Sequence, residues 1–265
     1  MKKLLSLLAG LVLASLVLSP AQAVAQTKSH LAQILERGTL RVGTTGDFNP
    51  MSIKDTASNT YTGFDVEAMT QLAADMGVKV AFVPAEWATL VNGIVSDRFD
   101  IFSGASLSMA RAKTVAFSNP YIYAGTVPLV SKKAGASIAN WEAINNPDTT
   151  VAVLMGTVFE QQAKALFPKA KIRSVEKPAT GYQEVLAGRA QVTITSNVEA
   201  ATLMQTYPDL QLVGSSANMR NKRPFAYPMP QGDDVWLTFV NNWISLKQAE
   251  GYFDGLEAKW LSAKK

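Results

Sequence analysis

One arginine stands beside two hydroxyl side chains in the segment 105–111, which reads ASLSMAR. The planar guanidinium of Arg111 presents a fork of donors that can meet both oxygens of a carboxylate. Ser106 and Ser108 can add neutral donors, and each hydrogen bond to a charged group contributes roughly 1.5–3 kcal/mol. The segment follows an apolar run at 99–102 that has the pattern of a short strand. These residue types in this order are suited to holding a carboxylate, whereas the segment taken alone is equally typical of a solvated arginine near a turn.

Patterns typical of strands and of helices alternate on both sides of this segment. In the first half of the chain, strands are predicted at 40–44, 78–83 and 99–102, and helices at 64–76 and 89–96. The alternation begins again with strands at 151–154, 171–175 and 192–195, and helices at 158–166 and 182–187. Such alternation favours parallel or mixed sheets wrapped by helices. We therefore expect an α/β protein with two units.

Two segments are candidates for the connections between these units. The first is 123–130. The second is 213–230, where Pro224, Pro228 and Pro230 favour an extended conformation over a helix. Beyond it, the segment 234–261 carries apolar side chains at helical spacing, which predicts a helix.

The first residues have the pattern of a secretory signal segment. Lys2 and Lys3 precede an uncharged apolar run at 4–18, and small residues ending at Ala23, or alternatively at Ala25, fit a signal-peptidase site. The run is shorter than the roughly 20 residues that a membrane-spanning helix needs. We therefore expect residues 1–23 to be removed and the mature chain to be exported. Because the chain has no cysteine, we expect no lipid anchor, disulfide or thiolate catalysis.

Charge and composition exclude several classes of function. Removing Lys2 and Lys3 from the 25 basic residues leaves 23 against 21 acidic ones, without a cluster typical of nucleic-acid binding. The single histidine, His30, lies near the start of the mature chain, which leaves none for a serine–histidine pair or a metal site in the body of the protein. Residues 43–46 lack the glycine spacing of a nucleotide-binding loop. We expect no metal, cofactor or nucleic acid.

Several short motifs resemble those of the family 3 periplasmic solute-binding proteins, which are typified by receptors for polar amino acids. The matches are LRVGTTGDFNP at 40–50, GFDV at 63–66, FDIFS at 99–103, the serine–arginine segment at 105–111 followed by AFSNPY at 116–121, and GTVFE at 156–160. They occur in the family's order over nearly the whole mature chain. The resemblance implies a type II periplasmic binding protein fold, with two α/β lobes, each a mixed sheet wrapped by helices, joined by two crossing segments.

The resemblance also implies lobe boundaries, a ligand site and a role. Lobe 1 is expected at 38–124 plus 222–263 and lobe 2 at 127–218, with the lobes closing on a ligand. A periplasmic monomer is implied, which passes a small carboxylate-bearing solute, an amino acid or related organic acid, to the inner-membrane permease of an ABC importer. The residues expected at the ligand are the flanking aromatic side chains Phe48 and Trp87, the carboxylate-binding Ser106 and Arg111, Thr157 at a helix start, and Ser103 and Ser196.

One position departs from the amino-acid receptors. They usually carry an aspartate where Ser196 stands, and its carboxylate pairs with the α-ammonium group of the ligand. A serine carries no charge that could replace it. Three interpretations stay open: Ser196 contacts a hydroxyl or keto oxygen, Glu160 or Glu199 supplies the negative charge, or the ligand is an organic acid without an ammonium group, such as a keto acid.

The chain also resembles an enzyme family with the same fold, the cyclohexadienyl dehydratases, in TTGDF at 44–48, DRFDI at 97–101 and WLTFVNNW at 236–243. That resemblance implies elimination of water and carbon dioxide from prephenate or arogenate, which needs an acid for the departing hydroxyl and a cation for the carboxylates. Glu160 is the expected acid and Arg111 the anchor. Val158 and Phe159 are apolar where these enzymes are polar, so the receptor is the preferred hypothesis and the dehydratase the alternative.

Overall fold

The computed structural model describes residues 28–135 and 137–261, so the predicted signal segment 1–23 and its two candidate cleavage sites lie outside it. Among the described residues, none of the helices has the length and apolar character needed to cross a membrane. The helices are α1 His30–Arg37, α2 Phe64–Asp75, α3 Leu90–Val95, α4 Met109–Ala112, α5 Lys132–Gly135, α6 Trp141–Ile144, α7 Val158–Leu166, α8 Gly181–Leu186, α9 Asn197–Thr206, α10 Asp234–Ala249 and α11 Tyr252–Trp260. The strands are β1 Thr39–Thr44, β2 Asp47–Phe48, β3 Ser52–Asp55, β4 Thr60–Thr62, β5 Lys79–Pro84, β6 Ile101–Phe102, β7 Ala105–Ser106, β8 Val115–Phe117, β9 Ile122–Ser131, β10 Thr150–Leu154, β11 Lys171–Val175, β12 Val192–Ser196, β13 Leu210–Leu212, β14 Arg220–Ala226 and β15 Pro228–Pro230.

The first unit is built on a parallel sheet in the order β5-β1-β6. Leu40 and Val42 of β1 are fully buried, and they join one apolar core with side chains of α2 and of the C-terminal helices α10 and α11. Trp236 of α10 is also fully buried and donates its indole N–H to the carbonyl oxygen of Asp100 at 3.1 Å, just before β6. These contacts attach the C-terminal helices to the first sheet, which helical patterning alone could not establish.

The second unit is built on a mixed sheet. Strands β11, β10 and β12 run parallel, and β9 joins β12 in the antiparallel direction. Val151, Val153, Val192 and Ile194 form a core with α7 on one face of this sheet, and α8 and α9 cover apolar side chains on the other. The two α/β units predicted from the alternating pattern are therefore present.

The predicted connecting segments are extended strands. Residues 123–130 lie within the ten-residue strand β9, and the segment 213–230 contains β14 and β15, with Pro224 inside β14. Strand β14 pairs with both β9 and β7, so it links the sheet of the second unit to the residues just before Arg111. The lobe boundaries 38–124 plus 222–263 and 127–218 stay a prediction.

The C-terminal segment is two helices and not the single helix that its apolar spacing predicts. Helix α10 ends after Ala249, and Gly251 adopts a left-handed conformation with φ of 72° before α11 begins. Glycine adopts this conformation without the steric penalty of a Cβ atom, so it lets the chain turn between the helices. The turn brings Phe253 and Leu256 into the first core.

Candidate functional site

Arg111 is buried and borders a cavity. It belongs to α4, which begins directly after β7, and the Ser108 side chain caps this helix by accepting a hydrogen bond from the Arg111 backbone at 3.4 Å. The guanidinium donates to the carbonyl oxygens of Ser106 at 3.2 Å and Gly156 at 3.1 Å. Burial lowers the pKa of Arg111 to about 10, and no described carboxylate offsets that loss of solvation. The side chain is therefore a cation at neutral pH without a partner anion among the described residues.

The cavity beside Arg111 has walls from both units. The first unit contributes Asp47, Phe48, Trp87 and Ser106. Residues from the second unit form the opposite wall, and their hydroxyls come mainly from threonines at strand ends and helix starts. Between these hydroxyls, the wall carries five side chains without polar atoms: Leu154, Val158, Phe159, Ile194 and Leu203.

Two aromatic side chains form one edge of the cavity, as the resemblance implied. The rings of Phe48 and Trp87 meet edge to face with their centroids 5.8 Å apart. The guanidinium of Arg111 lies 5.8 Å from the centre of the Trp87 ring, within the range of a cation–π interaction. The indole N–H of Trp87 donates to Asp47 at 3.0 Å, which fixes the ring orientation. A planar or apolar ligand group could pack on this edge.

Thr157 also lines the cavity, but its hydroxyl is already engaged. It donates to the carbonyl oxygen of Leu154 at 2.7 Å and accepts from the backbone N–H of Glu160 at 3.3 Å. Thr157 is thus the N-cap of α7, a position for which threonine is favoured. Its expected role as a hydroxyl donor to the ligand stays a prediction, and it would require the bond to Leu154 to break.

Ser103 and Ser196 lie outside the lining of the main cavity. Ser103 is buried, and its backbone N–H donates to Gly43 of β1 at 2.9 Å. The hydroxyl of Ser196 accepts from the backbone N–H of Glu199 at 3.0 Å and caps α9. Ser196 borders a smaller neighbouring cavity that shares Ser106 with the main one. Ser106 and Arg111 meet in the main cavity, whereas these two serines do not join them there.

Glu160, the acid expected in the dehydratase alternative, does not line the cavity either. Its carboxylate accepts hydrogen bonds from the backbone of Gly156 at 2.8 Å, from Lys164 at 2.7 Å and from Ser174 at 2.7 Å. Partial burial raises the pKa of Glu160, but these hydrogen bonds outweigh it and hold the pKa below its ordinary value. An ionised carboxylate with three donors of its own is poorly suited to protonate a ligand. The expected role of Glu160 as the acid of the dehydratase alternative stays a prediction, which this geometry does not favour.

Glu199 is the carboxyl group of the second unit that lines the cavity. This residue is half-buried. The pKa of Glu199 is raised to about 8, mainly because of burial. The hydrogen bond that the Thr195 hydroxyl donates to the carboxyl lowers the pKa, and the nearby charge of Asp47 raises it. Glu199 is therefore mostly a neutral acid at neutral pH. The sequence had indicated Glu199, as an alternative to Glu160, as a carboxylate that could supply charge beside Ser196.

Lys177 also extends to the edge of the site from the second unit. Its ammonium group donates to the carbonyl oxygen of Thr45 at 2.6 Å and lies 3.5 Å from a carboxylate oxygen of Asp47. It further lies 3.3 Å from Glu86. The spacing of motifs gave no indication of this residue, because Lys177 follows β11 in a loop and its partners are some 90 to 130 positions away in the sequence.

Residues 40–263 match the family described as bacterial extracellular solute-binding proteins, family 3. The chain belongs to this family, as its motifs indicated. A curated relative, the cyclohexadienyl dehydratase of Pseudomonas aeruginosa, is 32% identical over 94% of this chain and 92% of the enzyme. The L-cystine-binding protein TcyJ of Escherichia coli strain K12 is 29% identical over 88% of this chain and 86% of its own length. Similarity therefore extends to binding proteins and to an enzyme.

Solved structures show the same fold. The ancestral amino acid-binding protein AncCDT-1, a precursor of cyclohexadienyl dehydratase, superposes with a TM-score of 0.82 at 39% identity, over 88% of this chain and all of that protein. A putative ABC-transporter binding component from Wolinella succinogenes, complexed with lysine, gives a TM-score of 0.78 at 30% identity, over 85% of this chain and 96% of its own. The fold is the two-lobed α/β fold of type II periplasmic binding proteins, which confirms the prediction.

Proposed function

We propose that this protein is a periplasmic solute-binding protein, which holds a small carboxylate-bearing solute between its lobes and delivers it to an ABC importer of the inner membrane. One observation carries the proposal: a buried guanidinium, that of Arg111, borders a cavity between the two units without a carboxylate partner among the described residues. Burying an unpaired charge is costly, so such a group is retained where a ligand completes the pair.

The bond geometry supports recognition of a carboxylate at this point. Two of the guanidinium nitrogens are already held by the carbonyl oxygens of Ser106 and Gly156. The bond to Ser106 lies within the first unit and orients the guanidinium before a ligand arrives, and a preorganised group loses less entropy on binding. Phe48 and Trp87 would cover the ligand from the side of the first unit.

Contacts between the units support closure as the binding mechanism. The bond from Arg111 to Gly156 and the bond from Lys177 to Thr45 both join a residue of the first unit to one of the second. A ligand that contacts both walls would favour this closed arrangement over an open one, because the open arrangement lacks half of the contacts. An importer could then distinguish the loaded receptor from the empty one.

The delivery role rests on the family and on the N-terminal pattern. The predicted signal segment 1–23 would direct export, and relatives include a lysine/arginine/ornithine-binding periplasmic protein of Escherichia coli, 25% identical over 84% of this chain and 87% of its own length. We therefore propose the periplasm as the location, the permease of an ABC importer as the partner, and a monomer as the functional form.

Calorimetry and thermal shift against a panel of amino acids, keto acids and dicarboxylates test the binding role. A bound solute raises the melting temperature by mass action. In Arg111→Ala the affinity should fall by roughly 2–5 kcal/mol, because one partner of a buried charge pair is lost. Lys113→Ala, an exposed change two residues away, is the matched control and should bind as the unchanged protein does. Equal affinity of Arg111→Ala and Lys113→Ala would refute the assignment.

A second candidate function rests on Glu199. The cavity holds a neutral carboxylic acid together with a cation, which are the groups that the dehydration of prephenate requires. In that reaction one carboxylate leaves as carbon dioxide, its bonding electrons complete the aromatic ring, and the ring hydroxyl departs as water after protonation. We propose Glu199, in place of Glu160, as the proton donor in this alternative, which the relative from Pseudomonas aeruginosa favours.

Formation of phenylpyruvate from prephenate decides between the two candidates. If the protein is this enzyme, turnover should disappear in Glu199→Gln and persist in Glu160→Gln, because the Glu160 carboxylate is bound by Gly156, Lys164 and Ser174 outside the cavity. If a solute binds in a manner that depends on Arg111 and prephenate is not turned over, the receptor function is supported and the enzyme function is refuted.

A further inference from the structure

We propose that the cavity selects monocarboxylic acids that carry an oxo or hydroxyl group beside the carboxylate and an aromatic or branched apolar body, and that it discriminates against the corresponding α-amino acids. The inference rests on the proposed binding function and names its ligand class. It follows from three features of the cavity: the state of its carboxyl groups, the donor that Glu199 offers, and the apolar side chains of the second unit.

The carboxyl groups that line the cavity are poorly suited to hold an ammonium group. Among the residues that the structure describes, two carboxyl groups line the cavity, those of Asp47 and Glu199. One carboxylate oxygen of Asp47 accepts from Trp87 at 3.0 Å, and the other forms no hydrogen bond with a described residue but lies 3.5 Å from the ammonium group of Lys177, whose positive charge offsets that of Asp47. Ser196, at the position of the receptor aspartate, is neutral and caps α9. An α-ammonium group would therefore lose its hydration and would have to share the Asp47 carboxylate with Lys177, a group of the same charge.

Glu199 is instead arranged as a hydrogen-bond donor. One of its carboxyl oxygens accepts from the Thr195 hydroxyl. Among the described residues Glu199 forms no ion pair, and burial favours its protonated form. A protonated carboxyl has one O–H to donate, and the oxygen not used by Thr195 is free to carry it. The matching ligand group is an acceptor, such as a keto or hydroxyl oxygen, and not a second donor such as ammonium.

The apolar side chains of the second unit define the rest of the ligand. Leu154, Val158, Phe159, Ile194 and Leu203 face the same cavity as Arg111. A second ionised group on the ligand would lose its water among these side chains, whereas an aliphatic or aromatic body would remove apolar surface from water on both sides. Arg111 is also the one cation among the lining residues described, so a dicarboxylate would find a partner for one charge only.

Titration calorimetry with matched pairs tests the inference at about pH 6.5, where an ordinary α-amino acid is a zwitterion and its oxo analogue an anion. The pairs are phenylpyruvate with phenylalanine, and 4-methyl-2-oxopentanoate with leucine. Each oxo acid should bind about tenfold or more tightly than its amino acid. Pyruvate, which lacks the apolar body, should bind more weakly than either larger oxo acid.

Variants separate this inference from the proposed function. Glu199→Gln keeps an N–H donor and should retain the preference for oxo acids, whereas Glu199→Ala should reduce it, with circular dichroism and melting temperature checking the fold. Amino acids that bind as tightly as the oxo acids, in a manner lost in Arg111→Ala, would overturn the inference and leave the binding function intact. Binding of a dicarboxylate, with no binding of the four matched probes, would also overturn the inference and leave the binding function intact. Failure of every carboxylate to bind would overturn both.

Discussion

The ammonium group of Lys177 donates a hydrogen bond of 2.6 Å to the backbone carbonyl of Thr45, across the boundary between the two units. The same group lies 3.5 Å from Asp47 and 3.3 Å from Glu86. One side chain of the second unit thus compensates two carboxylates of the first and holds the end of β1 beside the cavity. We interpret Lys177 as a latch that stabilises the closed arrangement of the lobes.

Replacing Lys177 by methionine should weaken ligand binding, because the closed form loses a charge-assisted contact that the open form does not make. A hydrogen bond to a charged group contributes roughly 1.5–3 kcal/mol when buried, and the Lys177 side chain is 24% exposed, so about a tenfold loss of affinity is expected. Calorimetry measures the affinity, and small-angle scattering should show a larger radius of gyration for the variant. Lys171→Met, an exposed change in the preceding strand, is the control. Unchanged affinity and radius in Lys177→Met would rule out the latch.

Local patterns were sufficient to predict much of the second unit. The bounds predicted for the helix at 158–166 and the strand at 171–175 are those observed. The turn at Gly251 was missed, because a glycine within an apolar helical stripe does not reveal whether the chain continues or turns there. His30, which the sequence analysis found no use for, begins α1 and contacts Asp233 at 2.8 Å, a pairing of distant residues that local patterning cannot reveal.

Sequence motifs named cavity-lining residues where one motif supplies the group, and missed residues that meet there from distant chain segments. Arg111 and Ser106 belong to one motif and both line the cavity. Lys177 and Asp47 are brought together only by the packing of the two units. Glu199 acquires its raised pKa mainly from burial, which no sequence pattern expresses. Residue types therefore predicted the cation that lines the cavity. The charge interactions of the other lining residues could be seen only in the folded structure.

The raised pKa of the Glu199 carboxyl predicts that the free energy of unfolding depends on pH. The pKa of this carboxyl is raised from 4.5 to about 8 in the folded protein, so the unfolded chain releases the proton first as the pH rises. Between these values folding takes up a proton, and the free energy of unfolding should decrease with increasing pH, by at most about 1.4 kcal/mol per unit. Below pH 4.5 the carboxyl is protonated in both states, and its contribution to the free energy of unfolding is constant. Above about pH 8 it is ionised in both states, and the destabilisation no longer increases.

Urea unfolding of the protein and of Glu199→Gln across this pH range measures the effect. The variant has no titrating group at this position. As the pH rises, its free energy of unfolding should therefore increase relative to that of the unchanged protein. The other titratable groups of the cavity, Asp47, Arg111 and Tyr182, are present in both proteins. Parallel pH curves for the two proteins would show that Glu199 does not titrate between 4.5 and about 8.

Restoring the receptor aspartate should change ligand preference. Ser196→Asp introduces an anion beside the main cavity, and aspartate is as good an N-cap as serine, so α9 should remain capped. We expect the ratio of affinities to shift toward α-amino acids by about tenfold, since one carboxylate oxygen would cap α9 and the negative charge would stand beside the cavity. Ser196→Asn, which also caps helices but carries no charge, is the control. Identical ligand profiles for the aspartate and asparagine variants would remove any role of charge at this position.

Gly156 should be essential for closure. It adopts φ of 76°, and a Cβ atom there would clash with the backbone nitrogen of Ala88, on the opposite unit. Backbone cannot move aside as a flexible side chain would, so Gly156→Ala should hold the lobes apart and also displace the carbonyl oxygen that orients Arg111. Gly188→Ala is a matched control, because Gly188 has φ of 72° with no atom within 4 Å of the added Cβ.

Both glycine variants carry the conformational cost of a left-handed alanine, about 1 kcal/mol of folding free energy, so they should lose similar stability in urea unfolding. Only Gly156→Ala should lose ligand affinity, because only there does the added carbon lie between the units. Equal ligand affinity in the two variants would show that binding does not require the approach of Gly156 to Ala88, and closure would then have to follow a different geometry from the one that Arg111 and Lys177 define.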